Sequence, residues 1–267
     1  MKAFDYHKPG SVPEAVALLS NGVESRPIAG GMSLLPAMKQ RLAAPEALID
    51  LSGIAALKGI DASGGVITIG AMTRHIEVAT SPAVAKAVPA LAQLAAGIGD
   101  PAVRNRGTIG GSLANNDPAA DYPAAALAMA ATIVTSAREI AADQFFRGMF
   151  ETALKPGELI AAVKFPIPAA AGYAKVQNAA SRFALVGVFV ARFPSGVRVA
   201  VTGAAPVVFR VPSFEAALST RFEPAAVNGY GVDPAGLNSD IHAEAAFRAH
   251  LISVMAKRAV AAARAAG

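Results

Sequence analysis

Two glycine pairs constrain the fold of this chain more than any other feature of its 267 residues. The first is Gly30 and Gly31, and the second is Gly110 and Gly111. Each pair follows a short apolar run and is followed by a serine, Ser33 in the first motif and Ser112 in the second. Glycine adopts positive φ and lets the backbone approach a ligand closely, and a row of free N–H groups in such a turn forms an anion site.

The two motifs therefore predict two phosphate-binding turns, and Ser33 is predicted to cap the helix that follows the first of them. Two such turns would hold a diphosphate from both sides, which indicates a dinucleotide bound between two subdomains. The alternative is that each pair is only a tight turn. The G-x-G-x-x-G fingerprint of a Rossmann fold is missing from both motifs, which argues against an NAD(P)-dependent dehydrogenase.

The pattern around the first motif predicts a small parallel βαβ unit. From residue 57 onward the sequence predicts a hairpin, then helices, and then a long ordered loop over residues 99–123, a kind of loop that is usually functional. Asp121 is predicted to cap the helix that follows this loop, with an Asx-turn or cap role as its plain structural alternative. The remaining predicted strands of this region are residues 132–135, 137–140, 143–146 and 159–165.

Pro166 and Pro168, followed by an alanine run and Gly172, mark the clearest boundary in the sequence. Beyond it we predict three antiparallel strands and a last helix over residues 243–263, whose apolar face includes Phe247 and Met255. The predicted fold class is α+β. It consists of a two-subdomain domain over 1–168 (a βαβ unit at about 1–56 and a mixed sheet with helices at 57–168), followed by a C-terminal domain over 169–267.

Composition excludes several classes of function. The chain has no cysteine, which rules out disulfides, thiolate zinc sites and iron–sulfur clusters on this polypeptide. Its four histidines are scattered, so no metal site is predicted. The net charge of +5 is spread along the chain instead of forming the basic face of a nucleic-acid-binding protein. No apolar stretch is long enough to span a membrane and no signal region opens the chain, so a cytoplasmic protein is expected.

The motifs also support a specific resemblance. Together with Asp117, Pro118, Asp121, Tyr122 and Pro123, and with the run over residues 98–107, they resemble the two flavin signatures of the FAD-binding medium subunit of molybdenum hydroxylases. Within that family the chain closely resembles the medium subunit of aerobic carbon monoxide dehydrogenase. Xanthine dehydrogenase contains the same module. The resemblance covers nearly the whole chain.

The resemblance implies one non-covalent FAD, with its diphosphate held between the two motifs. It places Asp121 on the adenosine side, Leu159 or Ile160 beside the flavin, and Lys175 near the flavin ring. Met32 and Phe183 stand where the carbon monoxide enzymes often have histidine and tyrosine. The complete set of implied FAD-binding residues is Ala29, Gly30, Gly31, Met32, Ser33, Leu34, Thr108, Ile109, Gly110, Gly111, Ser112, Asn115, Asp121, Leu159, Ile160, Lys175 and Phe183.

The same resemblance implies an electron-transfer subunit. Electrons would pass from a molybdenum-cofactor subunit through the [2Fe-2S] clusters of an iron–sulfur subunit to FAD, and then to an external acceptor, in a heterotrimer that dimerises. No nucleophile–base pair is visible, so no catalytic residue is predicted in this chain. The alternatives are a free-standing flavin oxidoreductase of the same fold and an interaction subunit without a cofactor.

Overall fold

The computed structural model describes residues 1–266, and its architecture confirms the predicted α+β class. Three larger sheets follow one another along the chain. The first is a three-stranded parallel sheet, the second a five-stranded antiparallel sheet, and the third a four-stranded antiparallel sheet. The functional site lies where the first two regions meet and the third region touches them.

The N-terminal βαβ unit forms as predicted. Strands pair with its central strand β3 on both sides, in the order β1-β3-β2, and the first three residues of β3 are buried. Ser11 caps the first helix, since its side chain accepts a hydrogen bond from the Glu14 N–H. The elements of the unit are β1 (Asp5–His7), α1 (Val12–Leu19), β2 (Ser25–Ile28), α2 (Leu34–Lys39) and β3 (Ala47–Asp50).

The second region is built on a sheet in the order β4-β5-β10-β6-β7. Every neighbouring pair in it is antiparallel, so the sheet is not of the mixed type that we expected. Its strands are β4 (Ile60–Ser63), β5 (Val66–Gly70), β6 (Thr132–Thr135), β7 (Glu139–Ala141) and β10 (Ile160–Pro166). The helices on it are α3 (His75–Thr80), α4 (Pro82–Ala87), α5 (Pro89–Ala96), α6 (Pro101–Arg106), α7 (Ile109–Asn115) and α8 (Tyr122–Ala128).

The prediction of a long loop over residues 99–123 is wrong, because this segment contains α6 and α7. Asp100 caps α6 by accepting a hydrogen bond from the Val103 N–H, and Pro101 occupies the first helical turn. Thr108 caps α7 in the same manner. Both helices are too short for apolar periodicity to reveal them, and their capping residues are the main local signal.

The prediction of a strand over residues 143–146 is also wrong. It forms the short helix α9 (Ala142–Phe145), followed by a small hairpin of β8 (Phe146–Gly148) and β9 (Glu151–Thr152). Phe145 is completely buried, so the apolar pair that suggested a strand instead anchors a helical turn in the core.

The C-terminal region has four strands instead of the predicted three. Its elements are β11 (Ala170–Gln177), β12 (Ala184–Phe193), β13 (Gly196–Thr202), β14 (Phe209–Arg210), α10 (Pro212–Thr220) and α11 (Ala245–Ala265). Alternation along β12 directs Val188 and Val190 into the core under α10 and α11, and Phe189 into the core of the second region. The sheet is thus buried on both faces. Phe247 of α11 is 51% exposed, so its predicted place on the packed face is wrong.

Among the described residues, no helix is both long enough and apolar enough to cross a membrane.

The strongest buried polar connection of the C-terminal region is made by Arg248. Its guanidinium is 3% exposed and donates to the carbonyls of Leu185 and Gly203 at 2.7 and 3.0 Å. It also donates to the Asp240 carboxylate at 2.8 Å. The start of α11 is therefore held to the ends of β12 and β13.

We expect Arg248→Leu to reduce the free energy of unfolding by about 2–4 kcal/mol, because it leaves two carbonyls without their donor. Urea denaturation followed by circular dichroism measures the change. Arg258→Leu is the matched control, since Arg258 is exposed on the same helix, and it should change stability by less than about 0.5 kcal/mol. Equal stability of the two variants would contradict this account of α11.

Candidate functional site

A cavity of about 510 Å³ lies between the first glycine motif, α7 and the turn that leads into β12. All the residues that the resemblance assigns to the cofactor line this cavity except Ile109 and Lys175. The lining residues among them are Ala29, Gly30, Gly31, Met32, Ser33, Leu34, Thr108, Gly110, Gly111, Ser112, Asn115, Asp121, Leu159, Ile160 and Phe183. The structure thus brings together two motifs that are distant in sequence.

The first motif is a turn between β2 and α2 whose N–H groups are free. Gly31 has a φ of +73°, the left-handed region that favours glycine. The N–H groups of residues 30–33 donate to no acceptor among residues 1–266. Ser33 is not the predicted N-cap, because its backbone is helical and its side chain makes no cap hydrogen bond. The free N–H groups fit the predicted anion-binding turn.

Gly30 brings the two regions into contact through backbone alone. A Cβ at this position would lie 2.1 Å from the Arg106 carbonyl oxygen and 2.8 Å from the Gly107 Cα. No real Cβ tolerates such distances, so any other residue would push the βαβ unit away from the turn between α6 and α7. The glycine of the first motif is therefore needed for assembly as well as for access to a ligand.

The second motif differs from the prediction, because it is the first turn of a helix and its N–H groups are already used. The Ile109 and Gly110 N–H groups donate to the Thr73 and Ala71 carbonyls. The Gly111 N–H donates to the Thr108 hydroxyl at 3.1 Å. The predicted second turn of free N–H groups is therefore wrong.

What the second motif offers the cavity is space and side-chain polarity. Gly110 lies against Ala71, where a Cβ would approach the Ala71 Cβ to 2.5 Å, so this glycine seats α7 on the end of β5. Ile109 is fully buried behind it. Gly111 faces the first motif, since its nearest neighbours beyond Thr108 include the Ala29 Cβ. Ser112 provides a hydroxyl on the cavity wall.

Asp121 is a buried carboxylate at the cavity wall, and it does not cap α8 as predicted. Its backbone is helical and it makes no cap hydrogen bond. Its Oδ1 accepts from the Tyr173 hydroxyl at 2.5 Å and lies 2.9 Å from the Lys175 ammonium. Burial raises the pKa of the Asp121 carboxyl, against the opposing effect of the Lys175 charge.

Lys175 stands behind the cavity wall and has a full set of acceptors. Besides Asp121, its ammonium donates to the carbonyls of Gly97 and Arg182 at 2.9 and 3.0 Å. Its charge is therefore committed to holding β11 against the second region. Any effect on a ligand passes through Asp121 or the turn that carries Arg182.

Phe183 lies in the turn before β12, lines the cavity and is 48% exposed. It is therefore not an ordinary core phenylalanine. Leu159 and Ile160, which are nearly buried, form an apolar part of the wall. Met32 is partly exposed on the first motif.

Several lining residues are not predicted from the sequence, most notably His75, Glu158 and Arg182. Glu158 is held by Arg138, whose hydrogen bonds lower the pKa of this carboxyl to about 2. Arg182 has a φ of +60° in the turn that presents Phe183. No local motif marks these three residues, because their neighbours in the cavity are distant in sequence. Arg104 is not among the residues that line the cavity, and its guanidinium donates to the Ile98 and Gly99 carbonyls at 3.0 Å.

Two regions joined over a cavity, with glycine motifs on facing walls, define a nucleotide-binding flavoprotein domain, and the comparison with known families agrees. Residues 2–168 match the family described as the FAD binding domain in molybdopterin dehydrogenase. The chain belongs to this family, and its cofactor is FAD. It is the FAD-binding subunit of an oxidoreductase of the molybdenum hydroxylase family, which confirms the resemblance seen in the sequence.

Individual relatives extend the similarity over the whole chain. The carbon monoxide dehydrogenase medium chain of Hydrogenophaga pseudoflava is 41% identical over 220 residues, which are 78% of this chain and 77% of the relative. The nicotine 6-hydroxylase medium subunit of Paenarthrobacter nicotinovorans is 36% identical over 274 residues, 97% of each chain. A solved structure of carbon monoxide dehydrogenase from Hydrogenophaga pseudoflava, lacking the Mo-pyranopterin moiety, aligns with a TM-score of 0.89 and 38% identity over 99% of this chain and 98% of that one.

The residues present fit FAD. Four consecutive free N–H groups at residues 30–33 suit a diphosphate. The cavity volume of about 510 Å³ lies in the range of sites that enclose ligands of this kind.

We expect Gly111→Val to purify without flavin and with its fold intact. A Cβ here meets only the Thr108 Oγ1 at 3.0 Å and the Ala29 Cβ at 3.6 Å, so the added methyl groups occupy the gap between the motifs. Flavin absorbance per chain and calorimetric titration with FAD measure the loss. Gly231→Val is the control, because Gly231 has open space around it and lies outside the cavity. Stoichiometric FAD in the Gly111 variant would remove the second motif from the site.

We expect Phe183→Ala to shift the visible flavin band and speed reoxidation by oxygen, with a stability loss of less than about 1 kcal/mol, because Phe183 is half exposed at the cavity. Phe183→Tyr should be tolerated. Phe189→Ala serves as a reference for a fully buried ring in the adjoining strand, with an expected cost of about 3–5 kcal/mol. An unchanged flavin spectrum and reoxidation rate in the Phe183→Ala variant would rule out a flavin contact.

Proposed function

We propose that this chain is an electron-transfer subunit, which receives electrons from iron–sulfur clusters on a partner subunit and passes them to an external acceptor. The observation that carries the proposal is the single cavity formed by both glycine motifs in a chain of the FAD-binding family. Bound FAD supplies the redox chemistry, since its ring accepts and donates electrons. The residues of this chain bind and orient it.

The contacts proposed for FAD follow from the wall of the cavity. The free N–H groups of residues 30–33 hold the diphosphate, and Gly111 and Ser112 face it from α7. Asp121 takes the adenosine side, and Leu159, Ile160 and Phe183 form the apolar surface beside the flavin ring. Lys175 positions Asp121 and the turn before β12.

The titratable side chains at the cavity support electron transfer over acid–base catalysis. Asp121 is paired with Lys175 and Tyr173. The carboxylate oxygens of Glu158 accept from Thr135, Arg138 and the Lys155 N–H. The pKa of Glu158 is lowered to about 2, which makes this carboxylate a poor general base. The Asp121 carboxylate is buried and ion-paired with Lys175 at 2.9 Å, so its charge is already used within the protein. This distinguishes the proposal from a free-standing flavin oxidoreductase.

The partners belong to the same proposal. The named relatives are the medium chain or medium subunit of their enzymes. We propose an iron–sulfur subunit and a molybdenum-cofactor subunit as partners, arranged as a dimer of heterotrimers in the cytoplasm. The enzymes of the named relatives include a carbon monoxide dehydrogenase and a nicotine 6-hydroxylase. Because these enzymes act on different substrates, the features that their medium subunits share do not determine the substrate.

We also propose the division of the chain at Pro168, with a C-terminal unit over 169–267, of which Gly267 lies outside the described residues. The two units share one core, because Phe189, Ala191 and Ala200 of the C-terminal sheet pack with the helices of the second region. The division therefore separates two sheets of one folded structure, and we expect neither unit to fold alone.

We expect the isolated chain to bind one FAD and to leave it oxidised when carbon monoxide, an aldehyde or a purine is added without oxygen. Dithionite should reduce the same sample, which shows that the flavin is competent. In the assembled complex, the physiological substrate should reduce the flavin. The matched control is a complex carrying Gly111→Val, in which substrate reduces the clusters but not an external acceptor. Substrate turnover by the isolated chain would support the free-standing flavin oxidoreductase instead.

A further inference from the structure

His75 is the one histidine that lines the cavity, within the part of the chain that the structure describes, and the FAD contacts proposed above do not use it. It is the first residue of α3 and is 5% exposed. Its backbone N–H donates to the Gly107 carbonyl at 2.9 Å, which fixes it beside the second motif. Its ring packs on Tyr122 with a centroid distance of 5.4 Å.

Neither ring nitrogen of His75 has a hydrogen-bond partner among residues 1–266, and Nδ1 is fully buried. Burial and the charge of Arg104 lower the pKa of His75 to about 4, so the ring is neutral near pH 7. A neutral imidazole carries one proton. A proton on Nδ1 would be a buried donor without an acceptor, which is costly. Nε2 is not fully buried, so we place the proton there, where a group in the cavity can accept it.

Gly107 packs directly against the imidazole edge of His75. Its φ of −60° and ψ of 143° are ordinary for any residue, so the backbone does not require glycine here. A Cβ at Gly107 would lie 2.6 Å from the His75 Nε2. A side chain at position 107 would collide with the imidazole of His75, and this explains the glycine.

This contact adjoins the first motif. A Cβ on Gly30 would lie 2.8 Å from the Gly107 Cα, so Gly107 is next to the turn with free N–H groups. His75, Gly107 and residues 30–33 all line the same cavity.

We propose that the Nε2–H of His75 donates a hydrogen bond to a phosphate oxygen of the FAD diphosphate, as a neutral donor held in place by Gly107. The proposal deepens the proposed function and rests on FAD being bound in this cavity. His75 thus supplies from the second region a donor that the N–H groups of α7, all engaged within the protein, do not supply.

The test uses His75→Gln, His75→Asn and His75→Met in the full chain. A glutamine amide reaches the position of Nε2, an asparagine amide reaches that of Nδ1, and methionine fills the space without a donor. We expect His75→Met and His75→Asn to bind FAD about 10-fold more weakly, as for a lost hydrogen bond, and His75→Gln to stay within about 3-fold of the wild type. Calorimetric titration of apoprotein measures each affinity.

Two probes locate the contact. ADP carries the diphosphate without the flavin, and riboflavin carries the flavin without a phosphate. We expect His75→Met to weaken ADP binding by the same factor as FAD binding and to leave riboflavin binding unchanged. Weakening of riboflavin alone would overturn the assignment to the diphosphate.

The protonation state gives a readout that a packing role would not change. The ¹⁵N shifts of the imidazole should show Nε2 protonated and Nδ1 unprotonated. FAD affinity should be flat between about pH 6 and pH 8, whereas a charged imidazole would lose affinity through its ordinary pKa near 6.5. The titratable groups recorded against the ring are Arg104 of α6 and Tyr122 of α8, and neither changes charge in this interval.

Wild-type affinity in all three variants, or equal weakening in His75→Gln and His75→Met, would overturn the proposal, and the second result would assign the ring a packing role. Both outcomes leave the proposed function intact, because wild-type chain still binds FAD. If Gly111→Val also keeps its FAD, the second motif is not part of the site, and that failure is separate from the behaviour of His75.

Discussion

The site depends on a contact between backbones that leaves no room for a side chain. Gly30 of the first motif lies against the Arg106 carbonyl and the Gly107 Cα, and Gly110 lies against Ala71 at the end of β5. The first contact sets the βαβ unit against the second region, and the second sets α7 on the five-stranded sheet. The cavity is the space between the βαβ unit and the second region once these contacts have formed. Because the backbones touch directly, neither wall can shift without the other.

This arrangement gives the two glycine motifs different roles. In the first motif, positive φ at Gly31 and free N–H groups produce an anion-binding turn. In the second, Thr108 and the carbonyls of Ala71 and Thr73 engage the N–H groups, so a rigid helical surface without Cβ atoms faces the turn. Two similar glycine motifs thus form different walls, one with free N–H donors and one that is a helix surface without Cβ atoms. The difference follows from neighbours that neither motif contains.

The sequence was sufficient for those features that local pattern determines. The βαβ unit and the three longer C-terminal strands follow from apolar periodicity. The set of FAD-binding residues follows from the family resemblance that the motifs carry, and nearly all of that set lines one cavity. Helices α6 and α7 were not predicted because they have only six and seven residues, too few for an apolar periodicity to stand out. The cap role predicted for Asp121 is wrong because its partners, Tyr173 and Lys175, lie on a strand of another sheet and cannot be read from the local sequence. His75 was not predicted because Gly107, against which its ring packs, is distant in sequence.

The buried pair of Asp121 and Lys175 connects the C-terminal sheet to this site. Breaking such a pair from one side costs more than the pair itself contributes, because the remaining charge stays buried. Lys175 also holds the turn before β12 in place, because its ammonium donates to the Arg182 carbonyl.

That turn brings Ser181, Arg182 and Phe183 to the cavity, although the family match ends at residue 168. The two glycine motifs lie within the matched residues, but the wall opposite them is completed by residues beyond the match. A cavity of this shape therefore exists only when β11 and β12 are docked on the second region. The shared core around Phe189 provides that docking, so the binding site and the packing of the C-terminal sheet are one structural requirement.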